Sequence, residues 1–319
     1  MSKRTLSPAL AAVALLATAA LTGCGPSAAG DTPAAGAEPQ MPETLVISEI
    51  PSEDQTALDI EASIMYQTLE RELGIPVEFH AATSYAATIE AQRAGKAHIA
   101  GYGPFSYVLA KDSGVGIELI GAPAPSAEGV TGYHSVASVA AGSDITSIED
   151  VAGKTVCFVD PASTSGYLFP TAGLLEAGID PEKDITPIFA GGHDASVLAL
   201  VDGQCDVAFS TEGMATVQLI ESGQIEQGAI TQIWESELIT PSPFTVSTSL
   251  PEDLREKIRS IYLEMLNVDA LTAAGECDES AENCGLGTWG YVAIDDSAYD
   301  GVRKVCEITK ADACDIANQ

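Results

Sequence analysis

Thr155-Val156-Cys157-Phe158-Val159 is a short β-branched and aromatic run, and Asp160-Pro161-Ala162-Ser163-Thr164-Ser165-Gly166-Tyr167 leads from it into a second apolar segment that ends at Ala177. The first run predicts a strand and Ser165 to Ala177 predicts a helix. The turn between them therefore lies at the carboxyl end of a strand and the amino end of a helix, the repeating step of a parallel sheet covered by helices. The first N–H groups of a helix lack intrahelical partners and carry the positive end of its dipole, so they favour an anion. A single Ser or Thr here reads as an N-cap. Ser163, Thr164 and Ser165 in succession supply three hydroxyl donors at one place, which points to a ligand site. Gly166 would let a ligand or a neighbouring lobe approach closely. The lysine of a P-loop is absent.

On either side of this turn the same alternation recurs. Upstream, strands are expected at 45–48, 77–79, 98–100 and 117–121, with helices at 55–73, 85–94 and 105–111 between them. Gly74-Ile75-Pro76 stops the first helix, because glycine suits the position after a helix end and proline cannot continue the turn. Downstream, strands are expected at 185–189, 207–209 and 230–234 and helices at 195–201 and 216–221. Ser135 to Ala141 reads as a strand-like, small-residue stretch that forms part of the crossing between lobes. Beyond Pro241-Ser242-Pro243, a strand at 244–246 and a helix at 251–266 suggest that the chain returns to its first lobe. The layout is then an α/β protein of two lobes, 44–135 with 235–319 and 136–234, with a ligand cleft between them.

Two more strand-to-helix turns follow in the second lobe, Ala190-Gly191-Gly192-His193-Asp194 and Ser210-Thr211-Glu212. All three turns would open at one edge of the sheet. His193 could donate to an oxyanion. From the first lobe, Tyr85 at a helix start and Tyr102 just after a strand offer hydroxyls that could close over it.

The amino end carries Lys3 and Arg4, an apolar run from Leu10 to Leu21, and then Leu21-Thr22-Gly23-Cys24. Such a run is poorly suited to span a hydrocarbon core of about 30 Å as a mature helix. It resembles a bacterial lipobox: residues 1–23 are expected as a signal peptide, Cys24 as the lipidated first residue and sole membrane attachment, and 24–43, rich in Gly, Pro, Ala and Ser, as a flexible tether.

The formal net charge of −32 argues against a nucleic-acid partner. It does not set the sign of a small ligand, since screening acts over about 8 Å and a buried site answers to its nearest dipoles. Six cysteines remain beyond Cys24. The short spacings make Cys277–Cys284 and Cys306–Cys314 natural local staples, and Cys157–Cys205 remains, which requires their two strands to be neighbours. Zinc would want tighter spacing with histidines nearby, so neither a metal nor a cofactor is expected.

Asp160 to Pro170, then Gly191-Gly192-His193-Asp194, then Asp206-Val207-Ala208-Phe209, together with Gly103-Pro104-Phe105-Ser106-Tyr107, resemble the phosphate, phosphite and phosphonate substrate-binding proteins of ABC transporters. The likeness covers nearly all of residues 44–265. It implies a type II periplasmic-binding-protein fold in which Ser163, Thr164 and Ser165 hold phosphorus-bound oxygens. By matching position, Tyr85, Tyr102 and His193 complete the shell, and Glu212 accepts from a protonated oxygen or an amine. It further implies a receptor that hands a small phosphorus oxyanion to a permease; with the lipobox, a monomer anchored outside the cell membrane through Cys24 is expected. The cysteine-rich tail from Cys277 is foreign to the family pattern.

Three rival functions differ in chemistry. An enzyme would need an activated nucleophile, but no Gly-x-Ser-x-Gly elbow is present and Ser165 is placed to donate rather than attack. A receptor for a carboxylate or another metabolite would favour an arginine fork, and none of the site-like turns contains Arg or Lys. A surface lipoprotein that binds a protein partner would not need a polar cleft.

Overall fold

The computed structural model describes residues 40–50, 55–277 and 284–315. The expected signal peptide, the expected lipidation site Cys24 and the expected tether as far as residue 39 lie outside the described residues. The described residues belong to one compact unit.

The chain begins β1 (Leu45–Glu49), α1 (Gln55–Leu73), β2 (Val77–Ala81), α2 (Tyr85–Arg93), β3 (Ile99–Gly101), α3 (Pro104–Asp112) and β4 (Ile117–Ala124). A second set follows: β5 (Ser135–Ala140), β6 (Thr155–Phe158), a wide π turn Thr164–Leu168 running into α4 (Phe169–Glu176), β7 (Thr186–Phe189), α5 (His193–Val201) and β8 (Val207–Thr211). Another π turn, Met214–Gln218, leads to α6 (Leu219–Glu221), and β9 (Ile230–Glu235) closes the set. Then come β10 (Phe244–Ser247), α7 (Glu252–Ser260), α8 (Val268–Ala274), β11 (Gly290–Val292), α9 (Asp300–Thr309) and α10 (Asp312–Asp315).

The strands form two sheets, ordered β11-β4-β10-β3-β1-β2 and β7-β6-β8-β5-β9. In each, parallel pairs (β1 with β2 and β3; β6 with β7 and β8) are joined by antiparallel strands. Leu45, Ile47, Leu69, Ile99 and Val246 are fully buried in the first lobe, and Val156, Phe158, Val207 and Phe209 in the second. Each such side chain contributes about 1.5–3 kcal/mol by leaving water. Phe158 and Phe209 stack at 5.4 Å, locking β6 to β8.

Ser135–Ala140 is not a crossing strip. It is a strand, as its composition suggested, but an interior one, hydrogen-bonded to β8 on one side and β9 on the other, with Ser135 to Val139 buried there. The crossings are instead the segments just before it and just after β9. They meet at Tyr133 and Ile239, whose backbones exchange hydrogen bonds of 3.0 and 2.8 Å.

The tail has structure that periodicity did not show. β11 extends the first sheet by pairing with β4. α9 packs against both α3 of the first lobe and α4 of the second, with Tyr299 and Val302 buried in a cluster that also holds Tyr107, Val159 and Leu168. Arg303 binds Asp112, and the Tyr107 hydroxyl donates to Asp296 at 2.7 Å. Disulfides join Cys157 to Cys205, Cys277 to Cys284 and Cys306 to Cys314, with Cα–Cα distances of 5.9, 4.8 and 5.8 Å. For the first, the neighbouring strands are β6 and β8.

Candidate ligand-binding site

A cavity of about 450 Å³ lies where the carboxyl ends of the parallel strands face each other. Its second-lobe wall is Ser163, Thr164, Ser165, His193 and Thr211. Its first-lobe wall includes Glu49, Ile50, Tyr85 and Phe244, and the crossings contribute Tyr133 and Ser242.

Pro170 explains the shape of the hydroxyl turn. Proline cannot donate to the carbonyl four residues back, at Gly166, and would clash with it. The chain widens instead: Leu168 N–H reaches Ser163 O at 3.0 Å, and Gly166 O accepts from Val159 N–H at 3.1 Å. Such π turns recur at functional sites because they re-aim side chains. Gly166 serves this fit rather than a ligand's approach. A Cβ there would lie 2.2 Å from Val159 Cγ2.

Two hydroxyls of this turn already accept backbone N–H groups. Ser163 Oγ takes Gly166 N–H at 3.0 Å, capping its own helix. Thr164 Oγ1 takes Phe105 N–H at 2.8 Å, capping α3 in the other lobe, where Gly103 offers no side chain. A hydroxyl that accepts in this way still has its hydrogen to give. Asp160 adds a second link between lobes, accepting from the Tyr85 backbone at the start of α2. Burial raises its carboxyl above the usual range, while the N–H groups of Ala162 and Tyr85 pull it back.

His193 is buried, and desolvation lowers its pKa to about 4. Its Nδ1 accepts Thr211 N–H at 3.1 Å, so the neutral ring carries its proton on Nε2 and can donate. Burial raises the Tyr133 hydroxyl, and hydrogen bonds to Ser165, Thr164 and Ser242 oppose that shift. The polar end of the cavity is thus a set of neutral donors, with no Lys or Arg among its described lining residues.

This arrangement has known counterparts. Residues 47–299 match the family described as ABC transporter, phosphonate, periplasmic substrate-binding protein. The chain belongs to this family. It is 37% identical over 320 residues to the phosphate-import protein PhnD of Mycolicibacterium smegmatis, covering 97% of each chain. A solved binding-protein component of an ABC phosphonate transporter from Pseudomonas aeruginosa is 26% identical with TM-score 0.72, covering 86% of this chain and 89% of that one. PhnD1 of Prochlorococcus marinus, solved in complex with methylphosphonate, shares the fold at TM-score 0.71 and 17% identity over 84% of this chain and 99% of that one. The fold is therefore that of the type II periplasmic binding proteins. This chain is a substrate-binding protein of a phosphonate or phosphate ABC transporter, and its relatives are transport receptors rather than enzymes. No helix among the described residues is long and apolar enough to cross a membrane.

Of the residues singled out from sequence, Tyr85, Ser163, Thr164, Ser165 and His193 come together on this receptor's cavity. Tyr102 and Glu212 do not line it. The Tyr102 hydroxyl donates instead to Gln92 Oε1 at 2.9 Å inside the first lobe, where burial raises its pKa. Glu212 follows the end of β8, where its backbone bonds His134 and Thr216, and Thr211 takes the place beside the cavity. Sequence reading passed over Tyr133, Ser242 and Glu49. Ser242 had a signal, as a hydroxyl held rigidly between Pro241 and Pro243. Tyr133 stands two residues before β5 and had only its place at a crossing.

Proposed function

We propose that this receptor captures a tetrahedral phosphorus oxyanion, inorganic phosphate first among them, between its lobes and delivers it to its permease. The observation that carries the reading is the convergence of neutral donors on one cavity: the hydroxyls of Tyr133, Ser163, Thr164, Ser165 and Ser242 and the Nε2–H of His193. Hydroxyls and amides can surround a tetrahedral anion from several sides, whereas a carboxylate would favour a planar fork. The phosphate-import relative supports phosphate as the preferred ligand. The apolar side of the cavity, with Ile50, Met65, Pro123, Phe244, Leu286 and Tyr291, favours a second reading in which an alkyl group replaces one oxygen.

In the proposed mechanism residues 136–234 move as one lobe against 44–135 with 235–319, and the permease recognises the closed form. Ligand shifts the open–closed equilibrium through its greater affinity for the closed state. Lipid on Cys24, after removal of residues 1–23, holds this monomer at the outer face of the membrane by the 24–43 tether.

Calorimetric titration of wild type and Ser165→Ala with phosphate, phosphite, methylphosphonate and 2-aminoethylphosphonate tests the reading. One-to-one binding of phosphate, weakened about tenfold or more by the substitution, is expected. Absence of heat and of thermal shift with all four, from folded protein, would overturn it.

A further inference from the structure

Residues 294–314 touch both lobes. In the first, the Tyr107 hydroxyl donates to Asp296 at 2.7 Å, and Arg303 donates to both oxygens of Asp112 at 3.0 and 2.9 Å. Tyr299 donates to Pro241 O at 3.2 Å, on the crossing that follows β9. In the second, α9 packs on α4 and on the π turn Thr164–Leu168, and Ala311, Ala313 and Cys314 share one apolar cluster with Val159, Ala162 and Leu168. Burial raises the Tyr167 hydroxyl, and the Asp312 carboxylate adds to the rise, which sets α10 near the same turn.

What folds α10 back onto the molecule is local. Lys310, just after α9, has φ 48°, the sole non-glycine residue with positive φ among the described residues. A left-handed lysine is disfavoured, so the reversal needs a constraint. α10 has four residues, too few to hold itself helical. Cys306–Cys314 supplies the constraint, joining residues 8 apart on either side of Lys310. Cys314 is buried in the apolar cluster, but Cys306 is partly exposed, so the pair is open to a reagent from the Cys306 side. Cys157 and Cys205 are both buried.

The elements joined in this way are the ones that meet at the site: α3 is the helix that Thr164 caps, and the π turn carries Thr164 and Ser165. Resting on the lobe-closure mechanism above, we propose that residues 294–314 form a redox-sensitive strap, fastened by Cys306–Cys314, that holds the two lobes together and so sets ligand affinity. A dithiol reductant acts on it by exchange. One thiolate of the reagent attacks Cys306 Sγ, and Cys314 leaves as a thiolate that takes up a proton. The reagent's second thiolate then attacks the mixed disulfide, Cys306 leaves and is protonated, and the reagent ends as its own disulfide. With α10 released, its apolar contacts on the second lobe are lost. The fraction of protein in the binding-competent arrangement falls, and apparent affinity falls in the same proportion.

The experiment compares folded protein before and after treatment with dithiothreitol, with alkylation and peptide mapping to show Cys306 and Cys314 free and Cys157–Cys205 intact. Ligand-free protein is followed by solution scattering, and binding by calorimetry with inorganic phosphate. Reduced protein is expected to have a larger radius of gyration and to bind phosphate about tenfold more weakly. Cys306→Ser/Cys314→Ser is expected to show both changes without reductant and no further response to it, which separates this pair from Cys277–Cys284. An unchanged scattering curve or an unchanged affinity with Cys306 and Cys314 open overturns the proposal. So does a pair that dithiothreitol leaves closed in folded protein, or a response that persists undiminished in the double variant. The reduction arm decides the matter if the double variant fails to fold. If oxidised wild type binds no phosphate, the phosphate reading falls, and the scattering arm still decides whether the strap holds the lobes.

Discussion

Thr164 Oγ1 accepts the backbone N–H of Phe105 at 2.8 Å, so a side chain of one lobe caps a helix of the other. α3 begins Gly103-Pro104-Phe105 and has no cap of its own. An N-cap contributes about 0.5–2 kcal/mol, and here that contribution exists only while the lobes are together.

Thr164→Val keeps the shape of the side chain and removes the oxygen. It is expected to raise the population of open protein without ligand, with a larger radius of gyration in solution scattering, and to weaken ligand binding by about fivefold to tenfold. An unchanged scattering curve and affinity would show that the bond is incidental to closure.

His193 stays neutral in the folded protein down to about pH 4, below its ordinary value of 6.5. Between those values the unfolded chain holds the proton and the folded chain does not. Stability therefore rises with pH across this window and is lost as pH falls from 6.5 toward 4, by at most about 3 kcal/mol from this ring. His98, also lowered by burial, adds in the same direction. Melting temperature against pH is expected to fall less steeply on the acid side for His193→Gln than for wild type.

Gly166→Ala would drive a Cβ into Val159. The expected loss is about 1–3 kcal/mol, the range for overpacking, read as a lower urea midpoint. A substitution as stable as wild type would mean that the π turn yields more easily than its hydrogen bonds suggest.

Cys157–Cys205 closes a separation of 48 residues, whereas Cys306–Cys314 closes 8. Loop-closure entropy then favours the longer link, about 4 kcal/mol against about 2.5. Replacing the first pair with alanines is expected to cost more in urea unfolding than replacing the second. Both pairs remain testable in ligand-free protein.

How much of this was written in the chain depends on the range of the interaction. Local rules identified α1 over 55–73, because Gly74 and Pro76 mark its end in the sequence itself, and Pro104 and the hydroxyl triplet marked two helix starts in the same way. They also brought Tyr85, Ser163, Thr164, Ser165 and His193 to notice, since each stands at the junction of a strand and a helix or opens a helix. Tyr102 shows the limit. Its position just after a strand suggested the cleft, yet Gln92, on a separate helix, holds its hydroxyl in the core. The sequence of β5 likewise read as a strand-like part of the crossing, and only its pairing with β8 and β9 places it inside the second sheet.

By itself, then, the sequence determined the alternation of strands and helices, the anion-favouring turn and the family, all of which rest on neighbours a few residues apart. The tertiary structure decided which hydroxyls face the cavity, that Thr164 reaches across to Phe105, and that the tail lines one wall with Leu286 and Tyr291. Those outcomes depend on residues distant in the chain and on which side chain claims each hydrogen bond first, and no local period encodes that.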